Sequence, residues 1–128
     1  MLRTIYGAVA AFALLLCTGP SARAQNFTWD ILPGTVGPGN GTVDDGTGTW
    51  DTTLGNWTTD LGLNNLAWVN GTANRAFFGG TTGTGPYTVT LGVPITANAL
   101  TFNTGGYTIT GNTLTLGGTT PTLSVTNA

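Results

Sequence analysis

Between Tyr87 and Val125, apolar and polar residues alternate with a period of two in a series of short runs. The apolar positions are Tyr87, Val89 and Leu91, then Leu100 and Phe102, then Tyr107 and Ile109, then Leu114 and Leu116, then Leu123 and Val125. Threonine or serine fills the places between them. Alternation of this period marks a half-buried strand. Each run therefore predicts a short strand with one apolar face and one hydroxyl face.

The runs also match one another in order. Val89 maps onto Ile109 at an offset of 20, Val93 and Ile95 onto Leu114 and Leu116 at 21, and Leu100 and Phe102 onto Leu123 and Val125 at 23. Three consecutive segments thus repeat as the next three, with an offset that grows by small steps. A repeat of that length holding three short strands predicts one coil of a parallel β-helix. Each coil would turn its apolar faces inward and stack on the next at about 4.8 Å. No coil buries its own edge, so stability depends on neighbours. The alternative is an antiparallel meander, for which Gly105-Gly106 and Gly111-Asn112 are suitable hairpin turns.

Upstream the pattern changes twice. Residues 49–80 form an aromatic-rich region that we expect to act as an N-terminal cap, with Trp50, Trp57, Trp68, Phe77 and Phe78. Short strands are predicted there at 49–52, 56–58, 67–69 and 75–78, separated by Gly- and Asn-bearing turns. Residues 25–48 carry Pro33, Pro38 and Gly-rich turn signals, and predict an irregular lead-in with at most one short strand near Phe27-Thr28-Trp29. Residues 81–128 are the expected β-solenoid repeats, an incomplete set.

The first 24 residues follow another logic. Arg3 precedes an apolar run from Ile5 to Leu16, and Ala22-Arg23-Ala24 supplies an A-x-A cleavage site. This layout predicts a signal-peptide helix, with a mature chain starting at Gln25. The run is 12 residues long, short of the roughly 20 that a membrane-spanning helix needs. No integral span is expected after cleavage. Cys17 is the sole cysteine and lies in this segment, and Leu16 before it is too large for a lipoprotein signal. The mature chain would then hold no disulfide.

Removal of Arg3 and Arg23 leaves Arg75 as the single basic residue against Asp30, Asp44, Asp45, Asp51 and Asp60, a net charge of −4. There is no Lys, Glu or His. Nucleic-acid binding needs several cations to displace counterions from phosphates, and anionic membrane surfaces make the same demand. Neither partner is expected. Thr, Gly and Asn dominate the mature chain, as suits strands and tight turns rather than helices.

Candidate chemistry is sparse. A Ser/His/Asp or Cys/His arrangement is excluded by the lack of His and of a mature Cys. All five Asp residues lie at or before residue 60 in turn-rich sequence, which disfavours a pair of placed carboxylates. Asp44 and Asp45 with Asp51 are weak candidates for a calcium site, since Ca²⁺ takes six to eight oxygens and few are offered here. Trp50, Trp57 and Trp68 are weak candidates for stacking on sugar rings, set against a cap or core role for such large aromatics. No catalysis and no cofactor are expected.

The run from Ile95 to Asn103, then Gly105 to Gly111, then Thr113 to Gly118 resembles the autotransporter-associated β-strand repeat, the passenger-associated transport repeat of bacterial autotransporters. Trp50-Asp51, Asn56-Trp57, Trp68 and Phe77-Phe78-Gly79-Gly80 resemble the stretch that leads into such repeats, so the resemblance covers about residues 49–118. It implies an exported passenger, structural or adhesive, at the cell surface, associated with the outer membrane or extracellular. Such passengers usually end in an outer-membrane barrel, and no barrel strands are read in this sequence, which leaves two expectations open: a fragment, or a short reading frame cut from a longer one. The expected partners are surface glycans, or further copies through open strand edges. The alternatives are a secreted carbohydrate-binding module and a fragment without function of its own.

Overall fold

The computed structural model describes residues 23–80 and 85–126. The signal-peptide reading of residues 1–24, with its helix and Cys17, lies outside the described residues except for Arg23 and Ala24. Among the described residues every regular element is a strand. The described part of the protein is all-β.

The described residues form twelve strands in three sheets. β1 (Asn26–Gly34), β2 (Gly37–Pro38), β4 (Gly55–Thr58), β5 (Asn64–Leu66), β6 (Arg75–Phe78), β9 (Ala99–Phe102) and β12 (Thr122–Val125) make the largest, in the order β12-β9-β6-β1-β4-β5-β2. β3 (Gly48–Trp50), β7 (Tyr87–Leu91) and β10 (Tyr107–Gly111) make the second, in the order β10-β7-β3. β8 (Ile95–Ala97) and β11 (Leu114–Leu116) pair as the third.

The pairings are of two kinds. β1, β6, β9 and β12 run parallel to one another, as do β3, β7 and β10, and as do β8 and β11. β4 is antiparallel to β1, β5 to β4, and β2 to β5. From β7 onward the chain visits the second, third and first sheets in turn, then repeats that circuit one strand further along each. β3 and β6 occupy the same places one circuit earlier. Between them, residues 70 and 71 bond the free edge of β8: Gly71 N donates to Thr96 O at 3.2 Å, and Thr96 N donates to Asn70 Oδ1 at 2.8 Å.

Two expected offsets hold and one moves. Val89 lies opposite Ile109, and Leu100 and Phe102 lie opposite Leu123 and Val125. Leu114 and Leu116, however, face Ile95 and Ala97 rather than Val93 and Ile95, an offset of 19. The cause is the corner before β8, where the chain bends at Gly92 and Val93 and Pro94 restricts the residue before it. The strand starts two residues later than expected. A shift of two keeps every side chain on its face, so Ala97 takes the fully buried place opposite Leu116 while Val93 packs partly buried against the core.

The amino-terminal region differs more. Residues 25–48, expected as an irregular lead-in, contain β1, which lies between β6 and β4 in the largest sheet. Phe27, Trp29 and Ile31 point one way along it, and Phe27 and Trp29 are fully buried. The strand expected at 67–69 is instead β5, ending at Leu66, and Trp68 follows it in irregular chain.

Burial grades along the stack. Val89, Ile95 and Leu100 are 0%, 1% and 2% exposed, while their partners Ile109 and Leu114 are half-buried and Leu123 is 65% exposed. The end carrying β10, β11 and β12 is therefore open. The other end is covered by β4, β5 and β2 over a cluster of Phe27, Trp29, Trp50, Trp57, Trp68 and Phe78. Adjacent rings in this cluster have centroids 4.8–6.4 Å apart in tilted and edge-on arrangements, the geometry favoured by aromatic quadrupoles.

Candidate functional site

Trp50, Trp57 and Trp68 are 0%, 0% and 1% exposed. Their faces are taken by each other and by Phe27, Trp29 and Phe78. A ring that stacks on a sugar must show a face to solvent, and none of the three does. Their role in this structure is to close one end of the stack. Trp68 Nε1 donates to Asn70 Oδ1 at 3.1 Å, whereas the indole nitrogens of Trp50 and Trp57 are buried without a partner.

The candidate metal ligands each hold other partners. Asp51 caps the turn after β3, accepting from the N–H groups of Thr53 at 2.8 Å and Leu54 at 2.7 Å and from the Thr53 hydroxyl at 3.0 Å. Burial pushes its carboxyl up, but these donors outweigh it and hold the group below the usual carboxylate value. Asp44 accepts from Asn40 Nδ2 at 2.6 Å. Asp45 accepts the Gly80 N–H on both oxygens, at 2.8 and 2.9 Å, and the Tyr107 hydroxyl at 2.7 Å. That carboxylate ties the segment before β3 to the turn after β6 and to β10. Burial, then the Asp45 carboxylate, keeps the Tyr107 phenol far above its ordinary range. Among the described residues no three His, Cys, Asp or Glu side chains group as a metal set.

Sequence reasoning missed Asp30. It sits on β1, fully buried. Its Oδ1 accepts the Asp44 N–H at 3.1 Å and the Leu32 N–H at 3.5 Å, while Oδ2 has no partner. Asn65 beside it uses Nδ2 for the carbonyls of Asp30 and Gly55, both at 3.1 Å, and leaves its own Oδ1 without a partner. Burial raises the Asp30 carboxyl above its ordinary value, the nearby Asp44 adds to this, and the two backbone donors and Asn65 oppose it. Period-two spacing of Phe27, Trp29 and Ile31 marks the strand but puts Asp30 on its opposite face, so no local pattern signals that this acid is buried.

A pH dependence follows. A group raised in the fold favours the folded state below its unfolded value of about 3.9, and that advantage is lost as pH rises through the folded value. Asp51 and Asp60 are lowered, Asp60 by the Asn64 side chain and its N–H first. They stabilise above the unfolded value and lose this as pH falls. Asp30→Asn keeps the shape and the Oδ1 acceptor without the charge. Urea midpoints measured from pH 4 to pH 8 should decline with rising pH for the parent relative to Asp30→Asn. Parallel curves would show that Asp30 does not titrate in this way.

At the open end, Phe102, Thr104, Gly105, Gly106, Tyr107 and Val125 line a groove of about 370 Å³. None of these residues is an acid or a base in the neutral range. No helix of the described residues is long and apolar enough to cross a membrane.

These features meet one comparison with a known protein. A stretch of 58 residues, 45% of this chain, is 57% identical to the adhesin BmaC autotransporter of Brucella suis biovar 1 (strain 1330). It is similar to part of a bacterial adhesin. The matched stretch spans 2% of that adhesin's length. No protein-family model matches the chain, and no solved structure matches it.

Proposed function

We propose that the chain is a non-catalytic segment of an exported surface adhesin of the autotransporter type, forming the capped end and first coils of a parallel β-solenoid. The observation that carries this reading is the circuit of in-register parallel pairs, β7 with β10, β8 with β11 and β9 with β12, closed at one end only. Similarity to the Brucella adhesin supports the surface role. So do the uniformly engaged turn acids and the charge-poor, hydroxyl-rich exterior, which suit display of a stable polar surface rather than turnover of a substrate. The exported chain begins after the A-x-A site, with β4, β5 and β2 building the cap and β3, β6 and the strands from β7 onward the repeating part. The open edge receives further coils, or a second copy where none follow, since an exposed ladder with apolar Leu123 and Val125 is a template for pairing.

Localisation tests the functional reading. Antibody against residues 105–120 should label intact cells of the host bacterium, and deletion of the gene should lower their adherence. Labelling only after permeabilisation, with adherence unchanged, would contradict it.

A further inference from the structure

Residues 23–25 are exposed and irregular, and β1 begins at Asn26. The Ala24–Gln25 bond that the A-x-A site marks therefore lies just outside the first sheet, open to a peptidase. Gln25 is fixed through its backbone on both sides of Cα. Its N donates to Asn74 Oδ1 at 3.3 Å, and its carbonyl accepts the Arg75 N–H at 2.9 Å. Asn74 is 8% exposed and is itself held, with Nδ2 on Val69 O at 2.8 Å and its carbonyl taking the Asn98 N–H at 2.7 Å. The Gln25 side chain, in contrast, has no hydrogen-bond partner among the described residues, and the residue is exposed.

We propose that Gln25, once freed as an amino terminus, closes onto its own side chain and gives the mature chain a sealed pyroglutamyl end. The inference rests on the export reading and on its cleavage point.

The chemistry needs no partner. The α-nitrogen lone pair attacks Cδ of the side-chain amide. An N–Cδ bond forms and closes a lactam ring, the Cδ–Nε2 bond breaks, and Nε2 leaves as ammonia with the proton that the amine gives up. No oxidant, reductant or second substrate enters. Nucleophile and acyl group belong to one residue, so their meeting is intramolecular. The loose side chain can fold back on the amine while the pinned backbone keeps that amine in place. The acceptor on Gln25 N is the neutral Asn74 amide. A carboxylate there would stabilise the unreactive ammonium, and an amide does not.

The product suits the fold. The ring keeps one N–H and leaves untouched the carbonyl that Arg75 binds, so β1 keeps its pairing with β6. It removes the free amine that an aminopeptidase recognises. Chain ends are where trimming starts, and β1 is the central strand of the largest sheet, carrying the buried Phe27 and Trp29. Sealing Gln25 protects that strand in a chain displayed outside the cell.

Mass spectrometry of the amino-terminal peptide tests the proposal, on protein exported by a bacterial host from the full chain with its leader. The peptide should start at Gln25 and be lighter by one ammonia in nearly all molecules. Both bonds to Gln25 use backbone atoms, so Gln25→Ala should fold, show no such loss, and be trimmed by an aminopeptidase that spares the parent. A peptide that starts at Gln25 and keeps its full mass on incubation of the folded protein in neutral buffer would overturn the proposal and leave the export reading standing. The same loss of ammonia in Gln25→Ala, or equal trimming of both chains, would also overturn it. Retention of residues 1–24, or a start at another residue, would overturn it together with the cleavage point on which it rests.

Discussion

Trp57→Ala is expected to cost about 3–5 kcal/mol, the range for emptying a buried site of a large aromatic. Trp57 is fully buried and its ring meets five others: Trp50 at 4.8 Å, Trp68 at 5.0 Å, Trp29 at 5.1 Å, Phe78 at 5.4 Å and Phe27 at 6.4 Å. These rings belong to β1, β3, β4, β6 and the segment after β5, so the cavity would open at the junction of the cap with the first circuit. A small domain has only about 5–15 kcal/mol of stability in total, so much of the chain should unfold. Trp57→Phe should lose far less, because it fills most of the site and removes an indole N–H that has no partner. Urea unfolding followed by near-ultraviolet circular dichroism measures both. A Trp57→Ala midpoint equal to that of Trp57→Phe would mean that the cluster is not packed as described.

The second large effect is expected at Gly62, in the turn between β4 and β5. Its φ is +83°, a region that disfavours a side chain, and a Cβ would lie 2.2 Å from the carbonyl oxygen of Thr42, with the Thr42 carbonyl carbon and nitrogen almost as near. These are backbone atoms, and the chain around them is held: Gly41 N donates to Gly62 O and Gly39 N to Leu63 O, both at 2.9 Å. Gly41 is the internal control. Its φ is +81° but a Cβ there meets nothing within 4 Å. Gly41→Ala should therefore cost only the backbone strain, about 1–2 kcal/mol. Gly62→Ala should cost that and the displacement of residues 39–44 from the cap as well. Equal urea midpoints for the two variants would show that this segment does not pack on the β4–β5 turn.

Much of the repeating half was legible because one rule governs it. Where a strand has one wet and one buried face, side-chain parity and register are coupled, so Val89 over Ile109 and Leu100 over Leu123 follow from spacing alone. The middle strand escaped by two residues because parity is blind to a shift of two, and the corner at Gly92-Val93-Pro94 decides the starting point. The cap was less legible. Asp30, Pro33 and the glycines of 34–48 carry loop signals, yet β1 runs through the first of them, with Asp30 Oδ1 bonded from outside the strand by Asp44 N. Trp68 looked like a strand residue and lies beyond one. The fate of the tryptophans depends on which face the antiparallel β4–β5 pair covers, and no local pattern encodes that.

The central claim is that successive circuits stack as parallel strands in register. Thr90 and Thr110 are direct partners on the solvent side of β7 and β10, at a strand spacing of about 4.8 Å, which lies within the roughly 4.4–6.8 Å that a disulfide tolerates between Cα atoms. In a chain carrying Cys17→Ser, Thr90→Cys and Thr110→Cys, air oxidation of the folded protein should form an intramolecular disulfide nearly completely, with the β-type spectrum unchanged. A folded protein whose two thiols stay free under those conditions would contradict the stacking and the surface role drawn from it.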